Sequence, residues 1–194
     1  RFFHLVRERQ LDVKQLEEEQ IDSLVKEVVE EKLSLPRNYI FTSTPKYKML
    51  TNRLKRVITI SMKYIVDTLK SSDFEVFGNE LEFKKGKTYE PIVLELENNK
   101  KVEITGKIDR VDMAKTSEGN YIRIIDYKSS VKSMDLNDVV AGLQIQLLTY
   151  LDATCKIEEV MPAGILYFSL IEPMIKAQRA MSSEEMEEEL KKKF

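Results

Sequence analysis

ITGKIDRVDMAKTSEGNYIRIIDYK, residues 104–128, decides how the rest of the chain is read. Apolar and polar residues alternate on either side of a turn near Ser117–Asn120, the pattern of two antiparallel strands in a hairpin. Side chains alternate faces along a strand, so Asp126 and Lys128 point one way while Ile125 and Tyr127 point the other. With the turn centred near Glu118, positions whose numbers sum to about 235–237 oppose each other. That register puts Asp109 across from Asp126 or within two residues of Lys128. Two carboxylates so close repel unless one takes a proton or a cation lies between them, and such oxygen ligands suit a hard divalent ion such as Mg²⁺. An ammonium on Lys128 would then orient an attacking water or stabilise charge growing on a phosphate. The same D-x-K spacing also describes the exposed positions of any half-buried strand. Gly106, which permits close backbone approach, and Ile108, which continues the buried pattern, favour the site reading. Asp112 falls on the opposite strand face from Asp109 by this alternation and reads as structural.

Downstream, Asp135 or Asn137 can cap a helix over about 138–153. At 100° per residue its apolar face is Val139, Leu143, Leu147 and Tyr150, with Gln146 inside that arc and Gln144 toward its edge. An amide on a buried face costs roughly 1–3 kcal/mol if unsatisfied, so Gln146 is expected to bond to backbone, water or a ligand, with Tyr150 as its i+4 neighbour. AGILYFSLI after Pro162 has the continuous apolar character of a buried strand. It needs the preceding helix as its crossover. The remaining segment, 172–194, is highly charged and reads as a helix, with Ser182 or Ser183 as a cap.

Upstream, residues 1–33 read as helical throughout, with Ile21, Leu24, Val25 and Val28 on one face, and Ser34–Ser43 reads as a connection. Thr44 followed by Pro45 suits the N-cap and first position of a second helix over about 45–70. Lys48, Lys55, Lys63 and Lys70 share a face of that helix, with Arg56 beside them, and its seven cations stand against Asp67 alone in a chain of net charge −2. Such a stripe is a solvated face or a set of phosphate contacts, with Lys48, Lys55, Arg56 and Lys63 the candidates. FEVFGNELEF, PIVLELE and KVEITGKIDRV then change the period to that of strands. The order helix, three or four strands, helix, strand describes an α/β fold. We divide the chain into N-terminal helices (1–72) packing on the core, a core (73–171) and a charged C-terminal helix (172–194).

A chain of 194 residues suits one domain of ordinary size. No apolar run approaches the roughly 20 residues of a membrane-spanning helix. The lone Cys155 forms no internal disulfide, so the cytosol is the default compartment. There is no Gly-rich phosphate loop, CxxC pair or nucleophile-elbow serine, and His4 is the single histidine, which argues against P-loop hydrolysis, structural zinc and serine hydrolysis.

Together, GKIDRVD, IDYKSS and GLQIQLLTYLD resemble, in order and spacing, the signatures of the PD-(D/E)xK nuclease superfamily in its RecB-like branch. With PAGILYF, they are most similar to the C-terminal nuclease domain of AddB-type subunits of bacterial helicase–nuclease complexes, over most of residues 74–171. The resemblance implies a restriction-endonuclease-like core, a central mixed sheet flanked by helices. It implies Asp109 and Asp126 as ligands of Mg²⁺ or Mn²⁺, Lys128 as the catalytic lysine, and Gln146 with Tyr150 as a Gln-x-x-x-Tyr motif near DNA. It also implies a metal-binding histidine on a helix before the sheet, and FFHLV matches that place at His4. The family's iron–sulfur cluster takes one cysteine ahead of the core and three beyond it, so this chain, with Cys155 alone, cannot build it. The chain therefore reads as a piece of a longer subunit, with a cluster-free relative as the alternative. The implied activity is metal-dependent exonucleolytic cleavage of single-stranded DNA ends in double-strand-break repair, in the bacterial cytoplasm, beside an AddA-type partner. The competing reading is a catalytically silent DNA-binding or scaffolding module on the same fold.

Overall fold

The hairpin forms as the alternation predicts, in a computed structural model that describes residues 1–171 and Ser182; the expected helix over 172–194 lies outside them. Strand β4 (Gly106–Thr116) pairs antiparallel with β5 (Gly119–Lys128), from Thr116 opposite Gly119 to Arg110 opposite Ile125. The turn is tighter than expected, just Ser117 and Glu118, and Gly119 takes φ +138°. Strand β1 (Glu75–Phe83) lies antiparallel on the other side of β4, and β6 (Met161–Ser169) lies parallel to β5, giving the order β1-β4-β5-β6. The parallel pair requires a crossover. Helix α6 (Gln146–Glu158) provides it and stops at Glu159, a left-handed cap at φ 55°.

The run KVEITGKIDRV is two strands rather than one. β3 (Lys101–Ile104) ends before Thr105 and pairs with β2 (Ile92–Glu95) in a separate two-stranded sheet. β6 is apolar, as read, yet none of its residues is fully buried and Leu166 is 48% exposed. Among the described residues it forms the edge of the four-stranded sheet, with a neighbouring strand on one side only.

The N-terminal region is likewise two helices, α1 (Phe2–Glu8) and α2 (Glu18–Leu33). Between them Gln10 turns left-handed at φ 54° and Asp12 caps a 3-10 turn by accepting from the Lys14 amide at 2.9 Å. After a short helix α3 (Ile40–Ser43), helix α4 spans Pro45–Lys70 as predicted, with Thr44 Oγ1 accepting from the Tyr47 amide. Ile65, Val66 and Leu69 of α4 join Phe2, Val6, Ile21 and Val25 in one apolar cluster against Phe74, Val76, Tyr127 and Phe168 of the sheet side. A second cluster holds Phe83, Ile108, Val111, Ile122 and Ile124 against Leu147, Tyr150 and Leu151 of α6. Helices therefore cover both sides of a mixed sheet, the restriction-endonuclease-like arrangement expected from the sequence.

Asp112 is fully buried and lies between two arginines. Arg110 Nη2 donates to Asp112 Oδ2 at 2.9 Å and Arg123 Nε donates to the same oxygen at 3.0 Å. The Arg110 guanidinium also lies 5.6 Å from the centre of the Phe3 ring, so it ties β4 to α1. Removing one partner of a buried ion cluster leaves the others uncompensated, at a cost of about 3–5 kcal/mol. Asp112→Ala is expected to lose that much stability in urea denaturation; a loss below about 1 kcal/mol, the range of an exposed pair, would refute a structural role for the cluster.

Candidate active site

The sheet frays beside the candidate site. Pairing of β4 with β5 ends at Arg110–Ile125, one residue short of Asp109 and Asp126. Beyond that step the Tyr127 amide has no β4 carbonyl; it donates instead to Asp109 Oδ2 at 2.9 Å. The side chain thus takes over a ladder bond and is fixed by it. β4 does not keep a strict period of two here, because Ile108 and Val111, three apart, both enter the cluster under α6. The neighbouring β1 is irregular at the same level, with Glu80 left-handed at φ 54° between Asn79 (opposite Arg110) and Leu81 (opposite Ile108).

Lys128 Nζ lies 2.5 Å from Asp126 Oδ2. Contact with Asp126 raises the Lys128 pKa above the ordinary lysine value; burial opposes the rise, and the charges of Asp126, Tyr167 and Asp109 add to it. The ammonium also lies 5.6 Å from the Tyr167 ring centre, and Lys132 Nζ approaches the same ring at 5.5 Å. The hairpin therefore brings Asp109, Asp126 and Lys128 to one corner of the sheet. Asp109 opens into a cleft of about 360 Å³ whose walls include Phe2 and Phe3 of α1, Ser61 of α4, and Glu80.

The helix expected over 138–153 is two helices. α5 covers Leu136–Val140, Gly142 takes φ +79° after it, and α6 begins at Gln146. Leu143, assigned to the apolar face, is 75% exposed in the break. Gln146 is correspondingly an exposed first-turn residue rather than a buried amide. Its Nε2 donates to Tyr150 Oη at 3.2 Å, so the i, i+4 partnership is as expected. Tyr150 is only 3% exposed; its ring stacks on Phe83 at 5.4 Å, and its hydroxyl sits over Gly106. A Cβ on Gly106 would meet Tyr150 Oη at 1.6 Å, so the glycine is required by the tyrosine. Gln144 is the amide nearer the interior: its Nε2 donates to Asp138 at 2.7 Å while its Oε1 is buried without a partner.

His4 is turned away. The buried residues of α1 are Phe2, Phe3, Leu5 and Val6, and His4 occupies the solvent side, 2.8 Å from Arg1 Nη1 and 3.3 Å from Glu8. It does not line the Asp109 cleft. Of the basic residues on α4, Lys48 and Arg56 are exposed and Lys55 is half-buried, while Lys63 is engaged by Glu18 at 2.8 Å and Asp22 at 3.1 Å. Among the described residues no group of three or more His, Cys, Asp or Glu is gathered closely enough to hold a metal ion. Cys155 is half-buried in α6 and offers a single thiolate, too few for a four-cysteine cluster.

The sequence reading missed Arg110, whose Nη1 donates to Tyr127 Oη at 3.0 Å and thereby holds the residue whose amide holds Asp109. The signal was available as the R-x-D spacing, which puts Arg110 and Asp112 on one strand face. It also missed Lys132, which the chain order alone does not bring to Tyr167.

Compared with known families, residues 1–194 match the PD-(D/E)XK nuclease superfamily. The chain is 41% identical over 184 residues, 92% of its length, to the B-type subunit of the ATP-dependent helicase/deoxyribonuclease of Clostridium novyi, of which it covers 16%. It is 38% identical over its full length to a protein of the same name from Acetivibrio thermocellus, covering 18%. A third relative so named, from Clostridium tetani, is 41% identical over 177 residues and 15% covered. The chain thus spans about one sixth of the length of these relatives.

Gly106→Ala forces Tyr150 or the strand to move, and overpacking of this kind costs about 1–3 kcal/mol. The double variant with Tyr150→Leu should recover at least about 0.5 kcal/mol of the summed losses in a urea-denaturation cycle; strict additivity would show that the two residues do not press on each other.

Proposed function

The chain belongs to the PD-(D/E)XK nuclease superfamily, and from that premise we propose that its Asp109–Asp126–Lys128 corner hydrolyses DNA phosphodiesters with a divalent cation. The charge balance of the corner carries this reading: two carboxylates face one ammonium, and Asp126 Oδ2 is buried without a hydrogen bond of ordinary geometry. That balance repels a phosphodiester. A doubly charged cation beside Asp109 and Asp126 reverses its sign, and hard oxygen donors suit Mg²⁺ or Mn²⁺. When bound, such an ion supplies a lowered water pKa and charge stabilisation at the phosphate.

The protein's own groups have the following roles. Asp109, fixed by the Tyr127 amide, and Asp126 hold the cation. Lys128, kept protonated by Asp126, orients the attacking water or offsets charge as it grows on the phosphate. Tyr150 is too buried to meet DNA itself and instead holds Gln146, whose exposed amide reaches toward the substrate. His4 receives no part, because its ring faces Arg1 and Glu8. The names of the relatives support DNA as the substrate and a second subunit as the partner. We extend the proposal to exonucleolytic trimming of single-stranded ends at double-strand breaks for recombinational repair, in the bacterial cytoplasm, with an AddA-type helicase–nuclease protein as partner. Among the described residues no helix is long and apolar enough to cross a membrane.

One observation favours a second reading, a silent DNA-binding or scaffolding module: the two carboxylates are not joined by a third ligand close enough to complete a metal site among the described residues.

The intact protein is expected to cleave single-stranded DNA when Mg²⁺ or Mn²⁺ is supplied and to stop when the metal is chelated. Lys128→Ala should lower the rate at least about 100-fold, as removal of one preorganised electrostatic donor does. Mn²⁺ should raise the melting temperature of the parent and leave Asp126→Asn unmoved. Unchanged cleavage by Lys128→Ala would remove the catalytic assignment, and DNA binding with no Mn²⁺ response would favour the silent module.

A further inference from the structure

The structure carries a second basic feature that the proposed active site does not use. Between Leu33 and Val66 the sequence has seven Lys and Arg and no Asp or Glu, in a chain of net charge −2. On a purely solvated helix face cations alternate with acids three or four residues away, which is how such faces gain stability. Lys63 draws its acid partners from another element instead, Glu18 and Asp22 of α2. Lys48 is exposed and Lys55 half-buried on α4, seven residues apart and so on one face. Two shallow depressions run along α4, one bordered by Lys48 and Met49 and the next by Lys55, Lys26 and Lys63 with Asp22 as its one acid. Both are lined by Asn52 and Arg56, so they form one continuous trough.

Aromatic surface lies beside this charge. Tyr39 is 70% exposed and Phe41 40% exposed, next to and within α3, and Thr51 Oγ1 of α4 donates to the Phe41 carbonyl at 3.0 Å, fixing α3 against α4. The surface of a protein-binding site is depleted in lysine at its centre. A lysine-lined trough flanked by exposed rings is instead the composition of a single-stranded nucleic-acid path, where cations follow the phosphates and rings stack on unpaired bases.

We infer that the α3–α4 surface binds single-stranded DNA, with Lys48 and Lys55 on the phosphates and Tyr39 and Phe41 against the bases. The binding stands without catalysis and does not depend on the nuclease reading above.

The test measures binding of the intact protein to a fluorescein-labelled oligo(dT) in EDTA, by anisotropy across a salt series, so that cleavage plays no part. The double variant Lys48→Gln/Lys55→Gln should bind more weakly, with the log–log salt slope reduced by about 1.4, since each neutralised phosphate of a single strand contributes about 0.7. Tyr39→Ala/Phe41→Ala should bind about tenfold or more weakly with the slope unchanged, because stacking is not a counterion effect. All four side chains lie outside the two apolar clusters, and matching urea midpoints verify that the variants are folded. Parent-like binding by both variants overturns the inference. So does a duplex bound as tightly as oligo(dT) with the ring variant unaffected, or unchanged DNA binding together with loss of association with a partner polypeptide. Binding as expected but no metal-dependent cleavage in a parallel assay sinks the nuclease reading alone.

Discussion

The bond from the Tyr127 amide to Asp109 Oδ2 sets the geometry of the whole corner. Two paired strands that separate leave backbone donors without acceptors, and a buried unpaired amide costs about as much as a lost hydrogen bond. Asp109 removes that cost with its side chain, and the same bond prevents the carboxylate from rotating away. Fraying of the ladder and placement of the acid are therefore one event. Tyr127 is in turn anchored at its far end by Arg110, and burial pushes its phenol pKa up against the pull of that guanidinium. Arg110 is held by the buried Asp112. A chain of contacts thus runs from the interior charge cluster to the carboxylate at the cleft, and each link stiffens the next.

The opposite side of the sheet supplies the second constraint. Tyr150, from α6, presses its hydroxyl on Gly106 and its ring on Phe83. These contacts fix the start of β4 relative to β1 and α6. Gly106 lies three residues before Asp109, so the packing of the crossover helix is transmitted into the position of the acid. α6 consequently serves two ends: it makes the parallel β5–β6 connection possible and it clamps the strand that carries the site.

How legible this was depends on whether the local pattern had one solution. Helix α4 was readable because Thr44–Pro45 is both a cap and a first-turn signal and no glycine or further proline interrupts the run to Lys70. The hairpin was readable because alternation on both arms admits few registers. The helix over 138–153 was misread because its 3.6-residue period continues through Gly142, and periodicity alone does not show that a glycine will turn left-handed. Gln146 changed meaning with it, from a buried amide to an exposed one. The α1–α2 break was hidden in the same way, by helix-compatible residues around Gln10. β6 read as buried because burial on both faces and an apolar edge give the same run of letters; what distinguishes them is the neighbour, which sequence does not encode locally. His4 lies on a short helix whose inward face is set by Phe2, Phe3, Leu5 and Val6, and that face excludes it.

Electrostatics joins the pieces that packing keeps apart. A polyanion approaching Asp109 and Asp126 meets negative charge first, and Lys128 alone does not cancel it. Lys132, drawn beside Lys128 by the Tyr167 ring, adds a second positive group at the sheet edge. Helix α4 adds many more on its outer side while its inner side, at Ile65 and Val66, is fully committed to the core. The hydrophobic effect fixes the helix rotation, and that rotation decides where the cations point, so the basic surface follows from the apolar stripe. Charge segregation of this kind raises the local concentration of an anionic chain and is screened by salt within about 8–10 Å at physiological ionic strength. On the proposed reading, the core-packed face of α4 and its lysines therefore act together, since the first holds the helix where the second raises the local concentration of a negatively charged strand that the two acids alone would repel.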